Sequence, residues 1–258
     1  MEDKKYILKI YRGVPGNQYF EEFELTLEDP STNIISALMQ IQMNPYNIKG
    51  EKSTPIAWEQ GCLEEVCGSC SMLINGKPRQ ACSAIIKNIL KTSDSNVIYL
   101  APFTKFPLVK DLIVDRSVMF ENLKKVRGWI ETDGAFERGP GPKISQTKQE
   151  ALYHFSTCMT CGCCVEACPQ SNNRNKFIGP QIIAQVKLFN LHPIGKNDKD
   201  YRLHVMQEEG GIADCGNAQN CVRVCPKKIQ LTDAIAEMGR EVNLKWFRDL
   251  FSFRERAD

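Results

Sequence analysis

The sequence holds twelve cysteines in 258 residues, and their spacing points to one chemistry, the ligation of iron by thiolates. The run Cys158-Met-Thr-Cys161-Gly-Cys163-Cys164-Val-Glu-Ala-Cys168-Pro169 sets cysteines at relative positions 1, 4, 7 and 11, with proline next. In that pattern three close thiolates hold one iron–sulfur cluster and the fourth reaches another. The answering run is Cys215-Gly-Asn-Ala-Gln-Asn-Cys221-Val-Arg-Val-Cys225-Pro226. The crossing rule assigns Cys158, Cys161, Cys164 and Cys225 to a [4Fe–4S] cluster, and Cys168, Cys215 and Cys221 to a second one. Ala218 stands where the second run lacks a cysteine. An iron with no thiolate at that corner is easily lost, so this second cluster is expected as [3Fe–4S]. Zinc knuckles repeat paired CxxC or CxxC/HxxxH spacings, which these runs do not, so a zinc-stabilised interaction module is the weaker reading.

A further set lies upstream. Cys62, Cys67 and Cys70 are separated by four and then two residues, the spacing of plant-type [2Fe–2S] sites whose fourth ligand comes later in the chain. Asn75-Gly76 reads as a two-residue hairpin turn that returns Cys82 toward that loop. Gly61 and Gly68 let the backbone wrap closely around sulfide.

Other reactive residues read as bystanders. Cys163 has no place in the ligand count and is expected to be a packed, non-ligating thiol. Glu64 and Glu65 are expected to face solvent or a partner. His154, His192 and His204 share no ligand spacing, and Lys227-Lys228 is either solvated, set against an anionic cluster or in contact with a membrane partner. No Ser-His-Asp, Cys-His or phosphate-loop arrangement is present, so substrate-converting groups are expected on another chain.

The elements that must hold these sites fall into two kinds. Residues 6–12 and 20–27 alternate as strands, with Phe23, Leu25 and Leu27 facing a core. Ser31, Thr32 or Asn33 can cap a helix bearing Ile34, Ile35, Leu38 and Ile41 that stops at Asn44-Pro45, and Val97 to Leu100 can close the sheet. Pro102 and Pro107 mark a boundary near residue 105. From Leu108 the period turns helical through Val109, Leu112, Ile113, Phe120, Leu123 and Val126. Gly134 and Gly139-Pro-Gly-Pro142 form a loop. Helices follow at Thr147 to Thr157 (Ala151, Leu152 and Phe155 inward), from Pro180 (Ile182, Ile183, Val186 and Phe189 on one side), from Tyr201 to Gly210-Gly211, and from Leu231 to Phe251. Trp246, Phe247, Phe251 and Phe253 read as a core-packing tail, with docking onto a partner as the alternative. The expected class is α+β: a β-grasp, plant-type domain over 1–105 and an all-helical, two-cluster domain over 106–258.

Lys and Arg total 33 against 31 Asp and Glu, a formal charge of +2, so no polyanion footprint suggests nucleic acid. The opening Met1-Glu-Asp-Lys-Lys-Tyr6 has no apolar signal core, and clustered thiols are expected in a reducing compartment, where they mean metal. No apolar run is long enough to cross a bilayer, so work at a membrane would need an anchoring subunit.

A plant-type site followed by a bacterial-type pair with one cysteine missing resembles the iron–sulfur subunit of succinate dehydrogenase and quinol:fumarate reductase. The likeness runs through Asn33 to Leu38, Cys62 to Cys70, Asn75 to Cys82, Cys158 to Pro169, Lys176 to Pro180 and Cys215 to Pro226. It is nearest the menaquinone-linked bacterial branch at Cys62-Leu-Glu-Glu-Val-Cys67, Gly139 to Pro142 and Asp214 to Cys221. The resemblance implies a flavoprotein subunit whose FAD interconverts succinate and fumarate, a single-electron relay through [2Fe–2S], [4Fe–4S] and [3Fe–4S], and a membrane-anchor cytochrome b subunit with haem b that handles quinone. It further implies peripheral attachment to the cytoplasmic face of the bacterial inner membrane. Ubiquinone-linked relatives carry Trp and His near the quinone where this chain has Asn173 and Gly216, so the resemblance carries no quinone site onto this chain, speaks against ubiquinone, and leaves quinone to be bound mainly by the membrane subunit. A fumarate reductase working in the opposite direction and a soluble ferredoxin-like carrier are the alternatives.

Overall fold

The computed structural model describes residues 4–131, 142–172 and 174–254. In chain order the elements are β1 (Lys4–Val14), β2 (Asn17–Leu27), α1 (Ile34–Met43), β3 (Ser71–Ile74), β4 (Lys77–Gln80), α2 (Ile86–Lys91), β5 (Val97–Ala101), β6 (Leu108–Lys110), β7 (Ile113–Val114), α3 (Ser117–Lys125), α4 (Gln146–Ser156), α5 (Cys163–Glu166), α6 (Pro180–Leu191), α7 (Lys199–Gln207), α8 (Asn220–Val224) and α9 (Leu231–Arg254). They form two compact units, 4–116 with Cys161–Glu166, and the remainder.

The first unit is built on a five-stranded sheet of order β2-β1-β5-β3-β4, in which β1 and β5 run parallel and the other neighbours antiparallel. Alternation on β1 sends Tyr6, Leu8 and Ile10 to the core, because successive strand side chains point to opposite faces. Phe23 pairs with Leu8 across the ladder and is buried, with Leu25 and Leu27 packed at the margin. Asn33 caps α1 by accepting the Ser36 N–H at 2.8 Å, and Ile34, Ile35, Leu38 and Ile41 lie in the sheet's core.

The helical reading of 108–113 does not hold. These residues form the β6–β7 hairpin, pinned to β1 by Asp111 N–H to Gly13 O at 2.8 Å and to the segment before Gly61 by Leu112 N–H to Ala57 O at 3.1 Å. Alternation of Leu112 (buried) with Ile113 and Val114 fits both periods in so short a run. The same bonds carry the first unit past the boundary expected near 105, to Arg116. The loop expected over Gly134 and Gly139 to Pro142 falls outside the described residues, apart from Pro142.

In the second unit the regular elements are helical. α6 opens with Pro180 at its first turn, after Gly179 at φ 94°, as the fixed φ of proline favours. Ile182, Ile183 and Val186 sit in a core shared with Leu203, Met206, Met238 and Val242, while Phe189 is only half-buried. Fully buried Arg202 gathers the carbonyls of Arg127, Trp129 and Gly195 within 3.1 Å. Ala151, expected inward, is exposed, and Leu152 and Phe155 carry the buried face of α4.

The tail of α9 corrects another expectation. Trp246, Phe247 and Phe251 are 54%, 54% and 60% exposed, so they do not pack into the unit's core; the side chain of Phe253 lies outside the described residues. No helix among the described residues is long and apolar enough to cross a membrane.

Candidate iron–sulfur sites

Between Gly61 and Cys70 the chain folds into a tight loop that turns its amides inward. Leu63, Glu65 and Gly68 adopt positive φ of 61°, 56° and 74°. These turns aim the N–H groups of Glu64, Val66 and Cys67 at the Cys62 sulfur, 3.3, 3.2 and 3.3 Å away, and the Cys62 N–H at the Cys67 sulfur at 3.4 Å. A Cβ on Gly61 would stand 3.1 Å from the Cys67 sulfur, so the close wrap depends on glycine there. The amides of Cys62 and Ser69, with the Ser69 hydroxyl, hold the Cys67 thiol down at about 6, a value typical of thiols with strong donors.

Cys70 and Cys82 form the buried half of this site. They interact directly, and burial pushes the Cys70 thiol up to about 12. The β3–β4 hairpin, turned at Asn75-Gly76, brings Cys82 back to Cys70, and Ala81 N–H bonds the Cys70 carbonyl at 3.0 Å. Asn33 contributes again, its side-chain amide donating to the Cys82 carbonyl at 3.0 Å. Glu65, expected to face solvent or a partner, accepts the Ser83 hydroxyl at 2.6 Å and ties the loop to the Cys82 segment. Inward amides, a glycine cradle and four thiols of one segment pair fit a [2Fe–2S] group.

The segment Cys161–Glu166 belongs to the same unit. Gly162, at φ 88°, lies under two rings: a Cβ there would meet Phe106 at 3.2 Å and Phe103 at 3.3 Å. Glu166 is buried and accepts Thr104 N–H and hydroxyl at 2.9 and 2.7 Å and Lys105 N–H at 3.0 Å. Cys161 is lowered to about 7, first by its hydrogen bond with Cys163. Cys163 itself is fully buried, and that bond together with burial drives its thiol strongly upward. Of the four cysteines assigned to the cubane, Cys161 and Cys164 lie in this unit and Cys158 and Cys225 in the other.

The second unit assembles the remaining set. Cys168, Cys215 and Cys221 line one pocket, and Ala218 lines it beside them, with Gly216, Asn217, Gln219 and Asn220 completing the loop. Positive φ at Asn217 (50°) and Gln219 (59°) curls the loop, and the Asn220 side chain anchors it on the Ala167 carbonyl at 3.1 Å. Burial pushes the Cys221 thiol up to about 11. A Cβ on Gly216 would meet the Gln170 amide at 2.6 Å. Three thiols and a methyl group around one pocket fit a cluster short of one protein-held iron. Asn173 is outside the described residues.

Among the described residues no group of three or more His, Cys, Asp and Glu closes to the spacing of a single ion. His154 accepts the Gln230 N–H at 3.3 Å, and His192 accepts those of Ile194 and Gly195 at 3.3 Å. The sequence reading missed Gln80, Arg116 and Glu166, none of which belongs to a ligand spacing.

Two family profiles match the chain, one described as a 2Fe-2S iron-sulfur cluster binding domain over residues 7–121, the other as a 4Fe-4S dicluster domain over 154–229. The succinate dehydrogenase iron-sulfur subunit of Bacillus subtilis is 53% identical over 96% of this chain and 95% of its own. The fumarate reductase iron-sulfur subunit of Wolinella succinogenes is 29% identical over 87% of this chain and 90% of its own. A chain in the structure of the Mycobacterium smegmatis Sdh1 complex in the apo form shares the fold, with a TM-score of 0.80 at 22% identity, covering 93% of this chain and 96% of that one. Thiol-lined loops at the expected spacings and an end-to-end match lead to one conclusion: the chain belongs to the family of succinate dehydrogenase iron–sulfur subunits.

Proposed function

We propose that this chain carries single electrons between an FAD-containing flavoprotein subunit that oxidises succinate and quinone or haem b in a membrane-anchor cytochrome b subunit. The observation that carries this reading is the 53% identity to the Bacillus subtilis subunit across nearly both whole chains. Cys62, Cys67, Cys70 and Cys82 would hold [2Fe–2S], Cys158, Cys161, Cys164 and Cys225 would hold [4Fe–4S], and Cys168, Cys215 and Cys221 would hold [3Fe–4S]. Such clusters, when bound, take up and release one electron at a time, which splits the two-electron chemistry of a flavin.

The chain's own residues would set the conditions for that traffic. Amides turned onto the Cys62 and Cys67 sulfurs offset the charge of an electron-rich core, since hydrogen bonds to sulfur help set its potential. Burial of Cys70, Cys164, Cys168 and Cys221 excludes water. The five-stranded sheet with α1 packed on it supports a β-grasp, plant-type fold for the first site. Gly216 in place of a histidine speaks against ubiquinone and for menaquinone, and the anchor would hold the chain at the membrane, on the cytoplasmic face where clustered thiols stay reduced. A fumarate reductase running the opposite way is the second reading, favoured by relatives such as that of Wolinella succinogenes.

Purification from detergent-solubilised membranes tests the proposal. A complex containing a flavoprotein and a cytochrome b, with succinate-dependent reduction of a menaquinone analogue, supports it. A chain that elutes alone, with no such activity in the membranes, refutes it.

A further inference from the structure

Gln80, the last residue of β4, is fully buried and touches both cysteine segments of the first unit. Its Nε2 donates to the Ser71 hydroxyl at 2.7 Å and to the Cys163 sulfur at 3.6 Å, and its Oε1 faces the Cys70 sulfur at 3.5 Å. Cys163 in turn bonds Cys161. A second bridge runs parallel to this one. Arg116 donates from Nη1 to the carbonyls of Gly68 at 2.8 Å and Cys161 at 3.4 Å, with its Nη2 on Glu59 at 2.9 Å.

We propose that Gln80 is a positioning residue that places a hydrogen-bond donor on the Cys70 sulfur, with Cys163 as its second anchor, and so sets the reduction potential of the [2Fe–2S] centre. The inference rests on the reading that Cys70 is a ligand. With its thiol protonated, Cys70 donates to Oε1. A ligating thiolate has no proton, and a carbonyl oxygen against it repels. The amide turned by half a revolution removes that conflict, because its two ends have the same shape and differ only in polarity. Nε2 then donates to Cys70, while Oε1 accepts from the Ser71 hydroxyl and from the one Cys163 S–H, which turns to the amide from Cys161. Ser71 must release the Gly68 carbonyl, to which it donates at 2.7 Å, and Arg116 keeps that carbonyl satisfied.

The test is an electron paramagnetic resonance redox titration of the purified complex carrying Gln80→Met or Cys163→Ala. A donor to sulfur favours the reduced, more negative core, so Gln80→Met should lower the [2Fe–2S] potential by about a tenfold change in the reduced-to-oxidised ratio at fixed poise, ~59 mV for one electron. Cys163→Ala, distant in sequence from the Cys62–Cys70 loop, should shift the same potential in the same direction by less. Loss of the cluster in Gln80→Met would leave Cys163→Ala to decide. An unshifted [2Fe–2S] potential in a loaded Cys163→Ala complex overturns the bridge. Absence of a [2Fe–2S] signal in the unaltered complex would instead overturn the ligand reading beneath it.

Discussion

Replacing Arg12 with methionine probes how the sheet fixes the segment that enters the Cys62–Cys70 loop. The Arg12 side chain is 1% exposed and lies between Glu21 at 2.5 Å and Asp111 at 3.1 Å, whose side chains are 10% and 2% exposed. Its Nη2 also donates to the carbonyl of Thr54 at 3.0 Å. Asp111 takes Gly13 N–H at 2.7 Å on one oxygen and Ala57 N–H at 2.8 Å on the other, and so clamps the chain four residues before Gly61. One cation stands against two carboxylates. Arg12→Met leaves two anions in a dry site with no cation, a loss of about 3–5 kcal/mol, as for other broken buried pairs. Asp111→Asn keeps Arg12 paired with Glu21, and its cost is the one backbone N–H that the new amide cannot accept, about 1–3 kcal/mol. Guanidinium unfolding of the complex, followed by the visible circular dichroism of the [2Fe–2S] centre, ranks the two. Asp111→Asn proving the more damaging, or Arg12→Met costing under about 1 kcal/mol, would refute the charge argument.

Ala218→Cys supplies a thiol at the vacant corner and should turn the [3Fe–4S] centre into a [4Fe–4S] one of lower potential; a persistent oxidised three-iron resonance would contradict the ligand map. In the cluster-free chain Cys67, exposed and held at about 6, should be alkylated by iodoacetamide well before Cys70, buried and pushed up to about 12. Because the Cys67 thiolate is the form present above its lowered value, its labelling should be nearly pH-independent above about 7 and fall about tenfold per unit below about 6, which mass spectrometry of quenched samples reads directly; preferential labelling of Cys70 would contradict this. Gly162→Ala puts a Cβ at positive φ and within 3.3 Å of two phenylalanine rings. It should cost at least about 1–2 kcal/mol and deplete the four-iron signal, whereas Gly50→Ala, also at positive φ but with nothing within 4 Å, should leave every signal intact.

The two kinds of iron–sulfur domain were legible because such ligation is local: a short loop has to return several sulfurs to one core, and the intervals 62/67/70, 158/161/164 and 215/221 carry that need in the sequence. The Asn33 cap, the Asn75-Gly76 turn and Pro180 were readable for the same reason. What stayed hidden is long-range. Gln80 meets Cys163 across 83 positions and Arg12 meets Asp111 across 99, and neither leaves a periodic trace. Residues 108–113 read as helix in the sequence because a strand pair this short offers too few residues for either period to win. The aromatic end of α9 reads as core in the sequence because hydrophobicity alone does not distinguish a buried stripe from an exposed one.

On the ligand assignment proposed above, eleven thiolates from three stretches of this chain hold three different clusters. Electron paramagnetic resonance of the purified complex, oxidised and then reduced in steps, with iron and acid-labile sulfide measured on the same sample, tests it most directly. One three-iron signal in the oxidised state, two further centres on reduction, and about nine irons per chain from the three cluster types together are expected. Two four-iron clusters, or zinc in place of iron and sulfide, would contradict it.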